Sequence, residues 1–189
     1  MAKPQIFVIS GPSGVGKGTL IAQLFSHVPN LAFSVSATTR APRDGEQDGV
    51  DYYFVTQDEF NELIEKDALL EWAPVHLDKY GTPRKPVEAQ LESGLSVILD
   101  IDVQGALQVK KSCPSAHFIF IEPPSLEVLE SRLRGRHTES EEAIQKRMYD
   151  AVLELSYKSE YDYSLVNDNL EQAIEELVSY VMSKIDNAV

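Results

Sequence analysis

The chain has 189 residues, 43% hydrophobic and 25% charged, a globular composition with room for one domain and its core rather than two large independent ones. No apolar run is long enough to span a bilayer, Met1–Ile6 has no signal-peptide h-region, and the single cysteine, Cys113, allows no internal disulfide, so a reducing cytoplasmic setting without membrane attachment is expected. A net charge of −13 argues against a broad basic surface for nucleic acid, although six of the seven arginines gather in two stretches, Arg40 with Arg43 and Arg132, Arg134, Arg136 with Arg147.

In chain order, Gln5–Ser10 is a short apolar run ending at glycine and reads as a buried strand. Gly11-Pro12-Ser13-Gly14-Val15-Gly16-Lys17-Gly18-Thr19 follows it and opens a helix marked by Leu20, Ile21, Leu24 and Phe25. Residues 34–89, together with Phe33, read as short antiparallel strands around Phe33, Val35, Tyr53 and Val55, a glycine turn at Arg43-Asp44-Gly45-Glu46, and a helix near 57–66. Ser96–Asp100 and His117–Ile121 are further buried strands, with a helix through Ala106, Leu107 and Val109 between them. Residues 125–158 are polar and helical, with Ser125 as an N-cap and Thr138 with Glu141 as a capping box. Tyr163–Val166 is a last strand, and Leu170, Ile174, Leu177, Val178, Val181 and Ile185 mark a closing helix. The alternation predicts an α/β fold: a parallel P-loop sheet sandwiched by helices. The expected core is 1–33, 90–124 and 159–189, with a small mixed α+β insertion at 34–89 and a helical lid at 125–158.

A strand, a glycine-rich turn, a lysine and a helix in that order are the context of a phosphate-binding loop. Glycines let successive N–H groups face one point beside a helix N-terminus, and Lys17 adds a mobile charge for β- and γ-phosphates. The bland alternative is an ordinary glycine turn. Gly18 stands where the consensus has a Ser or Thr ligand for magnesium, and Thr19 comes next, an order that resembles adenylate kinases. Asp100 and Asp102 end a buried strand, where alternation places both on one face. Asp100 is positioned to hold a magnesium-bound water or orient a phosphate-binding arginine, or else it merely caps the next helix. The arginine clusters are either solvated surface or sites for small anions.

Read together, the chain resembles guanylate kinase end to end. The matching stretches are Gly11–Lys17, Ser34–Arg43, Gly49–Phe54, Leu70–Ala73, Tyr80–Thr82, Leu99–Asp102, Ile121–Ser125, Arg132–Arg136 and Val166–Asp168. The resemblance implies an ATP-dependent kinase that converts GMP to GDP with Mg2+, using small-molecule substrates only, with dGMP use and the choice of monomer or homodimer left open. It implies that Gly11, Pro12, Ser13, Gly14, Val15, Gly16, Lys17, Gly18 and Thr19 bind ATP. Arg40, Arg43, Tyr52 and Tyr80 would clamp the GMP phosphate, and Glu71, Ser36, Thr82 and Asp102 would read guanine. Lys17, Arg40, Arg132, Arg136 and Arg147 would be catalytic, the lid arginines arriving on closure, and Asp100 and Thr19 would assist the metal. Arg134 falls on no shared motif position and is expected to be solvated. Asn167 resembles a structural or adenine-side contact. His27, His76, His117 and His137 fall in none of the matched motifs, and none is required, since the accepting phosphate is already an anion.

Overall fold

The computed structural model describes residues 3–75, 77–135 and 140–186. Its centre is a five-stranded sheet in the order β2-β7-β1-β8-β9. These strands are β1 (Ile6–Ser10), β2 (Leu31–Phe33), β7 (Ser96–Asp100), β8 (His117–Glu122) and β9 (Tyr163–Val166), and every pairing among them is parallel. A parallel strand is covered on both faces, which is why β1 is continuously apolar and buried along its length.

Alternate residues feed two cores. Phe7, Ile9, Ile98, Ile119 and Ile121 pack with α1 (Lys17–His27) and α7 (Leu170–Asp186). Val8, Val97, Leu99 and Phe118 pack with α4 (Val103–Ser112) and with Val87 of α3 (Arg84–Glu92). The helix α3 was not among the expected elements; Pro86 sits in its first turn, where its missing N–H costs nothing.

The second sheet has the order β4-β3-β6-β5, built from β3 (Ala37–Thr38), β4 (Tyr53–Phe54), β5 (Leu69–Val75) and β6 (Asp78–Pro83). It is mixed, not antiparallel as expected: β3 pairs parallel with β4, because the chain between them crosses back in a long loop instead of a hairpin. Phe33 belongs to β2 of the main sheet rather than to this unit. α2 (Gln57–Glu65) covers the second sheet through Phe60 and is started by a full capping box, Thr56 with Glu59.

Two helices, α5 (Leu126–Arg134) and α6 (Glu141–Leu155), pack through Leu129, Leu133, Ala151 and Met148. Ser125 caps α5 as expected. α6 is capped by Ser140, whose hydroxyl accepts from Ala143 N; Glu141 is therefore the first helical residue and cannot close a box with Thr138, which lies outside the described residues. Arg134 is not merely solvated: it donates to Glu130 and to Glu141, joining α5 to α6. Among the described residues no helix is long and apolar enough to cross a membrane.

Leu177 of α7 is fully buried against α1 and the sheet. Truncation to alanine leaves a cavity there, so Leu177→Ala should lower unfolding free energy by about 2–5 kcal/mol, read from the midpoint of urea unfolding.

Candidate active site

The loop after β1 turns in a gap too tight for side chains. A Cβ on Gly11 would lie 2.3 Å from Ile121 O, and one on Gly16, at φ +99°, would lie 2.5 Å from Asn167 Nδ2. Both approaches demand glycine. Val15 points into the core, its N–H donates to Pro12 O, and its carbonyl accepts from Asn167 Nδ2 at 2.8 Å. Val15 therefore shapes the loop from inside. Lys17, the first residue of α1, donates Nζ to Gly11 O at 2.6 Å. Thr19 lies exposed in the first turn of the same helix.

The arginine and asparagine contacts extend this frame. Arg132 is held against the loop in this structure: its guanidinium donates to Val15 O at 3.4 Å and to Asn167 O at 2.9 Å. Asn167 is buried and acts on the loop, the structural option of its two expected roles. Arg147, on α6, donates to Ser13 Oγ at 3.4 Å. Arg136, His76 and His137 lie outside the described residues.

At the end of β7, Asp100 opens on the cleft while protein crowds around it; that burial lifts its carboxyl above the ordinary range, and the charge of Lys17 opposes the lift. Asp102 does not continue the strand beside Asp100. It is the N-cap of α4, its Oδ1 accepting from Gly105 N at 2.8 Å. Glu154 of α6 is pushed up to about 7, chiefly by burial, with Lys17 opposing and Asp102 and Asp150 adding to the rise.

The second sheet carries the other half. A cavity of about 180 Å³ is lined by Ser36, Tyr52, Glu71 and Tyr80 on one side and Asp100 and Asp102 on the other. Glu71 is only 7% exposed. Its Oε1 accepts from Thr82 Oγ1 at 2.7 Å, and α4 comes so near that a Cβ on Gly105 would lie 2.9 Å from its Oε2. Burial pushes Glu71 up to about 7, against the Thr82 hydrogen bond and aided by Asp102. Thr82 is itself fully buried and spends its proton on Glu71. Arg40 donates Nε to Tyr80 Oη at 3.2 Å and lies over the rings of Tyr52 and Phe54. Arg43 is exposed on the adjoining loop. Sequence reasoning passed over Glu46, which pairs with Arg40 at 2.8 Å, because it was read only as part of a glycine turn; its signal was an acid a few residues beyond an arginine in one loop.

The model of the family described as guanylate kinase matches residues 3–184. The chain belongs to the guanylate kinase family. A guanylate kinase of Synechocystis is 53% identical over 95% of this chain and 94% of that protein, and one of Rubrobacter xylanophilus is 50% identical over 98% and 96%. The crystal structure of guanylate kinase from Anaplasma phagocytophilum superposes with a TM-score of 0.76 at 34% identity, covering 97% of this chain and 87% of that one.

The buried carboxylate of the guanylate kinase cleft has a thermodynamic consequence. Glu71 titrates near 4.5 when unfolded and near 7 in the fold, so the folded state holds more protons in between. Stability contributed by this group therefore falls as pH rises from about 5 to 8. Glu71→Gln removes the charge but keeps the acceptor for Thr82. Its melting temperature should exceed the wild type's at pH 8 by roughly 5 °C, and the difference should vanish below pH 5, with Glu154 keeping a residual slope of the same sign in both proteins.

Proposed function

We propose that the chain transfers the γ-phosphoryl group of ATP to GMP, giving ADP and GDP, and that the cleft between the two sheets is where it does so. The observation that carries this reading is Glu71, a buried carboxylate with one oxygen fixed by Thr82, in a pocket that also holds two tyrosines beside Arg40. Guanine presents N1–H and an exocyclic amine side by side, and one carboxylate accepts both. Adenine presents a lone pair at N1, and a buried carboxylate facing it is left unpaired at high cost. Asp102 and Ser36 complete the base site, while Arg40, Arg43, Tyr52 and Tyr80 receive the acceptor's phosphate.

ATP lies on residues 11–19, its phosphates at the loop amides and the start of α1. Lys17 leaves the Gly11 carbonyl for the β- and γ-phosphates. Arg132 on α5 and Arg147 on α6 face the transferring group, and Arg136 joins them in this role. An oxygen of the GMP phosphate attacks the γ-phosphorus in line; the bond to the β,γ-bridging oxygen breaks, and ADP leaves with that oxygen. No protein base takes part, because the nucleophile carries no proton to remove. Closure of 34–89 and 125–158 over the core of 1–33, 90–124 and 159–189 excludes water that would hydrolyse ATP.

Asp100 and Thr19 fit a magnesium ion by chemistry and place, an oxygen anion at the sheet's edge near Lys17 and a hydroxyl in the first turn of α1. Asp100 and Thr19 would hold such an ion only in part, since Gly18 follows the lysine, and the chemistry it would supply is neutralisation of charge on the phosphate oxygens. The setting is cytoplasmic, and dGMP is a candidate second acceptor.

An acceptor panel with ADP detection tests the reading. GMP should be turned over far faster than AMP, CMP, UMP or a sugar phosphate; equal turnover of AMP would overturn it. Glu71→Gln should lose the preference for GMP while its Michaelis constant for ATP stays within about two-fold. Lys17→Ala should lower kcat by about 10²–10³ with folding intact by circular dichroism.

A further inference from the structure

The arginine expected to grip the acceptor's phosphate is already engaged. Arg40 Nη2 donates to Glu46 Oε1 at 2.8 Å, Nη1 to Glu46 Oε2 at 3.0 Å and to Ala41 O at 2.7 Å, and Nε to Tyr80 Oη at 3.2 Å. One N–H, on Nη2, remains. An open, two-pronged fork for phosphate is therefore absent from this arrangement. Two roles for Glu46 follow, with opposite consequences: it stands in for the phosphate and must be expelled, or it fixes Arg40 for good.

The local backbone favours the second. Glu46 Oε2 also accepts from the backbone N–H of Arg43 at 2.7 Å, and Glu46 N donates back to Arg43 O at 3.0 Å. Gly45, at φ +90°, closes this turn. Glu46 is thus tied to its own loop twice, through Oε2 and through its backbone N–H, and expelling the carboxylate would also strip the Arg43 amide. The pair is shielded, with side-chain exposures of 14% for Arg40 and 19% for Glu46, and the guanidinium is backed by Tyr52 and Phe54 at 5.4 and 5.7 Å from their ring centres. Because Arg40 donates to the Tyr80 oxygen, the Tyr80 proton is left to be given away to another acceptor.

We propose that Glu46 is a positioning residue of the acceptor site: it takes the outer edge of Arg40 so that one Nη2 N–H and the Tyr80 hydroxyl face the phosphate of GMP. This rests on the reading of the chain as a GMP kinase. The fixed guanidinium loses little freedom when the nucleotide binds, which is the gain that offsets placing a carboxylate near an anionic ligand.

Steady-state kinetics with ATP and GMP on wild type, Glu46→Ala and Glu46→Gln test it. Glu46→Ala should raise the GMP KM by about ten-fold or more while leaving the ATP KM within about two-fold, and Glu46→Gln, still an acceptor but uncharged, should raise it by about three-fold. A GMP KM that falls in Glu46→Ala identifies Glu46 as a competitor of phosphate and overturns the proposal; so does an unchanged one. If the alanine variant fails to fold, Glu46→Gln decides alone, an unmoved GMP KM overturning the role. Wild-type turnover of GMP is read in the same assay: its absence removes the function reading and this role with it, whereas wild-type turnover with unmoved variant constants removes only the role of Glu46.

Discussion

The chain has to reverse from β1 into α1 inside a gap bounded by the β8 backbone, the side of α5 and the Asn167 side chain. A methyl group at Gly11, Gly14 or Gly16 would meet Ile121 O, Leu133 Cδ2 or Asn167 Nδ2 at 2.3, 2.8 and 2.5 Å. Much else takes its position from that passage. Val15 is driven into the main core, Lys17 is delivered to the first turn of α1, and Asp100 is brought beside it by the parallel pairing of β7 with β1. The carbonyl of Val15 then becomes a shared anchor: Asn167, just after β9, and Arg132, at the end of α5, both donate to it. The end of α5 and the end of the sheet are thereby joined through one backbone oxygen of the loop after β1.

The acceptor half is organised by a buried charge instead of a tight backbone. Glu71 sits where β5 meets α4, too enclosed to ionise readily, with Thr82 supporting one oxygen and Asp102 adding repulsion. Such a group opposes folding, and in the proposed function it discriminates for the same reason: a desolvated carboxylate is costly unless its ligand donates to it. Asp102 contributes to this tension only because the start of α4 holds it, its carboxylate committed to Gly105 N. The helix cap and the pocket beside Glu71 are therefore one structure, and the Asp-Ile-Asp run that resembles a strand edge is divided, Asp100 ending β7 and Asp102 capping α4.

The first of these halves was legible in the sequence and the second only by likeness. A continuously apolar strand, then glycines, then a lysine, is a pattern whose physics is local, and β1, α1, β7, β8, β9 and α7 follow from runs long enough to show their period. β3 and β4 have two residues each, too few for any periodicity, so their parallel pairing could not be read and an antiparallel hairpin was the natural expectation. Ser140 and Thr138 are both hydroxyls before an acidic first turn, and which one caps α6 depends on the path of the chain after α5. Thr82 and Glu46 act through partners 11 and six residues away, contacts set by strand register and by a loop, neither of which has a sequence signature. Resemblance singled out Glu71 and Thr82 without revealing that Thr82 spends its hydroxyl on Glu71.

A net charge of −13 is the wrong sign for attracting two anionic substrates, yet the excess acid has a use. At physiological salt a charge is screened within about 8 Å, so the global balance matters less to a phosphate in the cleft than the groups touching it. In the proposed function those groups are backbone amides, a lysine and arginines whose directions are set by neighbours: Arg40 by Glu46 and Arg132 by two carbonyls. Free arginines would carry several rotamers each and lose that freedom on binding. Carboxylates that hold guanidinium groups exchange a little local potential for geometry, and in phosphoryl transfer, where alignment of donor and acceptor is most of what the protein supplies, geometry is the scarcer quantity.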